Sequence, residues 1–141
     1  MTAKAFGLLS LARRGRILEA GEEPVGAICR ARKAALVIVA SDAADHSIRR
    51  VKSFVSGTKQ VWMQIPCTKE ELGGIIGRGV CAMAAFSDPR MALAFVQALE
   101  SCPEEILATL TAKAERAKKR NSEEKAHIKN VRSGKRKQSS K

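Results

Sequence analysis

Apolar positions change period along the chain, and each change marks an element. Ala5, Leu8, Leu9 and Ala12 recur at helical spacing, which predicts a helix over 4–14 with Gly15 as its C-terminal cap. Arg16–Leu18 could form a short strand. Val25, Ile28 and Cys29 then give one apolar face to a helix over about 23–32, with Pro24 in its first turn. "ALVIVA" at 35–40 is an unbroken apolar run and reads as a strand buried on both faces. Ile48, Val51 and Val55 mark a helix that stops at Gly57, with Asp42 and Asp45 as turn and cap residues. "VWMQI" at 61–65 and "VCAMAAF" at 80–86 read as two more buried strands. Between them, Thr68 and Glu71 have the spacing of a capping box for a helix over 69–76. Asp88 caps a helix with Pro89 at its first position and Met91, Ala92, Phe95 and Leu99 along it. Ser101 and Glu104 repeat the capping-box spacing, and Ile106, Leu107 and Leu110 could dock a further turn or two.

Helices alternating with buried strands imply an α/β chain. The expected architecture is a three-layer α/β/α sandwich around a single mixed sheet of about four strands, plus a basic C-terminal tail. The expected boundaries are a domain over 1–102 and a tail over 103–141, partly helical and then disordered.

Composition sharpens this. The chain has 141 residues, 45% of them hydrophobic, enough for one core. Its net charge of +12 is unevenly spread: residues 113–141 hold 12 Lys and Arg against 3 acids, and residues 1–112 hold 14 against 11. A nearly balanced globule with a basic arm suits a polyanion, most often nucleic acid; the plainer reading is a tail that only keeps the protein in solution. The four cysteines form no C-x-x-C pair, and with His46 and His127 they make no zinc spacing, so no metal site is expected. Cys29 and Cys81 sit in apolar runs and read as core thiols of a reducing cytoplasm. There is no signal-peptide pattern, and the longest apolar run is too short to span a bilayer, so no membrane role is expected.

The candidate chemistry is not catalytic. His46 reads as a cap or surface residue, and Glu22 and Glu23 are adjacent and cannot face each other on a helix. No nucleophile has an identifiable base, so neither an enzyme nor a cofactor is expected. "ELGGIIGRG" at 71–79 lacks the Gly-Lys-Ser/Thr of a phosphate-binding loop. Leu72 and Ile75 read as packing residues there, while Gly77 and Gly79 turn the chain and leave room for RNA. Arg13, Arg14 and Arg16 suit the end of a helix dipole, but three arginines in four residues exceed that need and suggest nucleic-acid contacts. "RILEAGEEP" is ambiguous. A turn glycine opening a helix usually offers N–H groups to phosphate, yet two glutamates and a proline follow it.

Three segments, "LLSLARRGRILEAGEE", "ALVIVASDA" and "ELGGIIGRGVCAMAAFSDPRMALAFVQAL", resemble the ribosomal protein family L-seven-Ae/L-thirty-e, particularly its small bacterial members, over roughly residues 4–100. The most specific pieces are "LG" with Gly77 and the arginine-glycine turn before residue 21. The resemblance implies a three-layer fold and binding of structured RNA, in many members a kink-turn, with no catalysis and no cofactor. It places the RNA surface on Gly21, Glu22, Glu23, Pro24 and Ala27, and on Arg78, Gly79 and Val80. This chain departs from the family at three of these positions: Glu23 replaces an asparagine, Pro24 a glutamate and Ala27 a lysine. An ionised glutamate only accepts hydrogen bonds, and an alanine carries no charge to a groove. The carboxylates are therefore expected at base edges. Phosphates fall to Arg13, Arg14, Arg16, Arg78 and the tail residues Lys118, Lys119, Arg120, Lys135, Arg136 and Lys137. The expected function is a non-catalytic, ribosome-associated monomer that recognises a kink-turn-like element of rRNA or mRNA. The alternative is a protein-interaction domain that keeps the fold and only adheres to RNA through its tail. Glu22 and Glu23 would then simply favour the helix N-terminus, and an apolar patch over 21–27 would support that reading. An accessory module for RNA methylation is a third class, for which the sequence holds no knotted-fold or cofactor motif.

Overall fold

The computed structural model describes the backbone of residues 1–139 and the side chains of residues 1–127. Along the chain run α1 (Ala3–Arg14), β1 (Leu18–Ala20), α2 (Glu22–Arg30), β2 (Leu36–Val39) and α3 (Asp45–Val55), then β3 (Trp62–Gln64), α4 (Lys69–Ile76), β4 (Met83–Phe86), α5 (Pro89–Gln97) and α6 (Glu104–Ser139). The sheet has the order β1-β4-β2-β3. β4 is antiparallel to both β1 and β2, and β2 is parallel to β3, so the sheet is mixed as expected.

The two central strands explain their own composition. Strand side chains alternate between faces, so a strand covered on both sides carries no polar position. Leu36, Ile38, Ala84 and Phe86 enter a core shared with α1, α4, α5 and α6. Val37, Val39, Met83 and Ala85 enter a second core under α2 and α3. Phe86 meets Phe95 of α5 with ring centroids 5.3 Å apart. Full burial of such a side chain contributes about 1.5–3 kcal/mol, which lets strands of three and four residues hold.

Side-chain caps fix the starts of α1, α4 and α5. Thr68 and Glu71 form the expected capping box, and the Asp88 side chain accepts from the Arg90 N–H at 2.9 Å with Pro89 at the first helical position. Four details differ from the sequence pattern. Asp45 is the first residue of α3 rather than its cap, which is Ala44, while Asp42 lies in the turn as expected and also accepts the Lys69 N–H at 2.8 Å. Gly15 is the C-cap of α1, but the left-handed residue after it is Arg16, with φ 59°. β4 begins at Met83 rather than Val80 because the backbone before it is engaged elsewhere. The Arg78 N–H bonds Gly73 O at 2.7 Å, and the Cys81 N–H bonds Lys69 O at 3.0 Å, both on α4. At the fourth, α6 starts after Pro103, whose carbonyl accepts the Leu107 N–H at 3.1 Å. Glu104 is thus the first helical residue, two positions short of the third helical position that a box with Ser101 requires. Ile106, Leu110 and Ala114 are buried while Leu107 is exposed, so core packing continues past residue 102. The expected disorder at the end of the tail, and the side chains of Lys135, Arg136 and Lys137, lie outside the described residues.

Candidate nucleic-acid interface

The edge strand β1 ends where β4 begins, with Ala20 opposite Ala84. The chain leaves β1 through Gly21, whose N–H bonds Met83 O at 3.1 Å. Gly21 has φ +97°, a conformation that glycine adopts without a Cβ clash, and it is the N-cap of α2. It has no side chain with which to cap the helix, so the first N–H groups of α2, at Glu22 and Glu23, have no intrahelical or side-chain partner.

The 77–82 loop reaches the same place from α4. Gly77 ends α4 in the left-handed conformation with φ 86°. The next residues cross over Gly73, where a Cβ would lie 2.7 Å from Gly79 O and 2.9 Å from Val80 Cα. Only glycine at 73 lets helix and loop backbones approach so closely. The crossing carries Arg78 onto the α2 turn: a Cβ at Gly21 would lie 2.8 Å from a terminal guanidinium nitrogen of Arg78. Two segments 57 residues apart thus form one surface. Val80 stands beside it, 60% exposed.

The acids of this turn are not equivalent. Glu22 is in an ion pair with Arg50 of α3, whose guanidinium also lies over the Phe54 ring at 5.7 Å. Glu23 is exposed and appears in no ion pair among the described residues. Ala27, one turn further along α2, is also exposed. Arg50 carries no signal in the sequence, because it lies on the polar face of a helix and its partner is 28 residues away.

Below the turn, burial raises the Cys81 thiol above its ordinary range, against the opposing pull of the backbone at Met83 and Gly21 and of the Arg78 and Arg13 charges. Cys81 is a buried core thiol, and Arg13 reaches the same neighbourhood. Arg13 is half-buried and donates to Leu18 O at 3.2 Å, so it also closes the end of α1. Arg14 and Arg16 are exposed. Arg16 precedes β1 and Gly21 follows it, so the three residues of the strand set the two at opposite ends of the sheet. Arg16 therefore does not join the turn at Gly21. Lys118, Lys119 and Arg120 are exposed on α6.

No protein-family model matches the chain, and no curated protein matches it. Solved structures do. A protein with unknown function from Bacillus halodurans C is 24% identical, covers 78% of this chain and 99% of its own, and superposes with a TM-score of 0.59. A Giardia lamblia 15.5kD RNA binding protein is 17% identical, with 78% and 87% covered and a TM-score of 0.54. At these identities the likeness is one of fold.

Proposed function

We propose that the chain is a non-catalytic RNA-binding protein that reads a sharply bent, kink-turn-like internal loop with Gly21–Ala27 and the 78–80 loop. The observation that carries this reading is the Arg78 guanidinium lying against Gly21 at the open N-terminus of α2. A cation and the two unpartnered N–H groups of the first helical turn meet there, beside the Glu23 carboxylate, which is in no ion pair among the described residues. Phosphate suits the first two, and the N–H edge of a guanine suits the third. Pairing with Arg50 removes Glu22 from the repulsion a phosphate would meet, leaving Glu23 as the base-facing acceptor. The turn is in this view a recognition site, with its acids divided between a structural pair and a reading group. The fold shared with the Giardia RNA-binding protein and the excess of basic residues support the same class of partner. An rRNA or a structured mRNA element is the proposed target, with the ribosome as its setting. Within 21–27, where an apolar patch would favour the protein-docking alternative, Val25 and Gly26 are buried and the exposed residues are Glu22, Glu23 and Ala27.

The test titrates a kink-turn RNA and a plain duplex of equal length with wild type and with Arg78→Ala at one salt concentration. Wild type should prefer the kink-turn. Arg78→Ala should lose about tenfold on that RNA, the scale of one charge-assisted hydrogen bond, with its unfolding midpoint unchanged because Arg78 is exposed. Equal binding of both RNAs by wild type overturns the reading.

A further inference from the structure

At the other end of the sheet lies a cleft of about 780 Å³, where β4 ends and β2 begins. Its lining includes Ser87 after β4, Ala34 and Ala35 before β2, and the Gly57–Gln60 turn before β3. Six cations line it: Arg32, Lys33, Lys59, Lys113, Arg116 and Arg120. No carboxylate does, and none of the six is in an ion pair among the described residues. Glu115, Glu123 and Glu124 of α6 are exposed and form no part of the lining.

We infer that this cleft is a second RNA-backbone site, which holds the phosphodiesters of a segment separate from the one read at Gly21 and Arg78. The inference rests on RNA being the ligand of the chain, and adds a contact that the turn at the opposite end of the sheet cannot make.

The cleft is built rather than accidental. Gln60 is buried and its amide ties the walls together. Its Oε1 accepts the Ala34 N–H at 2.9 Å, and its Nε2 donates to Cys29 O at 3.0 Å and to Thr58 Oγ1 at 3.3 Å. That clamp holds the end of α2, which carries Arg32 and Lys33, against the turn that carries Lys59. Arg32 itself takes the left-handed conformation with φ 59°, where glycine is the usual residue. The third wall is α6. Ile106, Leu110 and Ala114 dock its first turns on the core, and Lys113, Arg116 and Arg120 fall at i, i+3 and i+7 on the side turned to the cleft. Lys113 is half-buried with its Nζ 3.5 Å from Ala35 O. Burial, and after it the charge of Arg116, lowers its pKa.

A helix dipole accounts for Arg32 and Lys33 at the end of α2, but not for four more cations from two other segments. The ligand chemistry is polyanionic and extended, because the charges come from three walls of an open cleft. An RNA backbone with regularly spaced phosphates fits this better than a single small anion.

The experiment measures the salt dependence of binding by the full chain to the kink-turn RNA and to the plain duplex. Lys59→Ala/Arg116→Ala removes two exposed cleft cations. Lys4→Ala/Arg49→Ala removes two exposed cations elsewhere and keeps the same net charge. The cleft variant should flatten the log–log salt slope by about 1.4–1.8 and weaken both RNAs by a similar factor, on the order of tenfold, while the control changes little. Its thermal transition should match that of the control. A cleft variant indistinguishable from the control overturns the inference, as does tight binding of inorganic pyrophosphate that is lost in the cleft variant while the RNA slope stays intact. Failure of the kink-turn reading looks different: preference for the bent RNA is then absent in wild type, yet the cleft variant still flattens the slope.

Discussion

Arg78 touching Gly21 is the contact on which the candidate interface turns, and no periodicity in the sequence links two residues so far apart. Charge and composition point to each segment separately; only the crossing over Gly73 joins them. The same holds for Glu22, whose partner Arg50 lies on another helix. Glu23 and Ala27 are exposed at i and i+4 on α2, so they share a face and can be changed with little effect on the fold. Glu23→Asn with Ala27→Lys introduces a donor–acceptor and a cation. A charge-assisted contact is worth about 1.5–3 kcal/mol, so kink-turn affinity should rise about tenfold or more, and by more than duplex affinity. Equal gains on both RNAs would show that the turn supplies charge without reading. Cys67 supports a different test. Burial, followed by the charge of Glu71, pushes its thiol up to about 11. The folded state therefore favours the neutral thiol, so the stability it contributes is complete below pH 9 and is lost as pH rises toward 11. Urea unfolding of wild type should weaken across that window, and Cys67→Ala should show a shallower decline; parallel declines would assign the effect to other groups.

Elements were far more legible than contacts. Each helix from α1 to α5 follows from an apolar stripe with punctuation by Gly, Pro, Thr or Asp, and the two central strands from their unbroken apolar runs. Element ends were legible where a side chain makes the cap, as at Thr68 and Asp88, or where a glycine stops a helix, as at Gly15. Where backbone bonds backbone, as Arg78 and Cys81 do to α4, the sequence carries no mark, and Val80 through Ala82 look like strand. The two adjacent glycines of α4 expose this difference. Gly74 has open space where a Cβ would be, so Gly74→Ala should stabilise the helix by about 0.5–1 kcal/mol. Gly73→Ala should instead destabilise by about 1–3 kcal/mol, because the obstructing atoms are the Gly79–Val80 backbone and cannot swing aside. It should also displace Arg78 and weaken RNA binding. Urea unfolding of the two variants decides this, and similar midpoints would mean that α4 and the loop do not meet so closely.

At the scale of the whole molecule, the charge excess divides into a part that is shaped and a part that is not. The sequence marks residues 113–141 as a basic arm; the structure turns the first portion of that arm into a cleft wall, because Ile106, Leu110 and Ala114 anchor α6 on the core. A chain ending at Asn121 keeps those anchors along with Lys113, Arg116 and Arg120. It loses seven Lys and Arg against two Glu. Its urea midpoint should stay within about 0.5 kcal/mol of wild type, as for surface changes generally. Its salt slope for RNA should flatten, and its preference for the kink-turn over the duplex should survive, since the proposed reading groups are all in the globule. A chain ending at Cys102 should instead lose several kcal/mol, since removing each buried Ile or Leu side chain costs about 2–5 kcal/mol. Equal stability of the two shortened chains would show that α6 does not belong to the core. Loss of kink-turn preference in the longer one would make the arm, rather than the turn at Gly21, the part of the molecule that reads RNA.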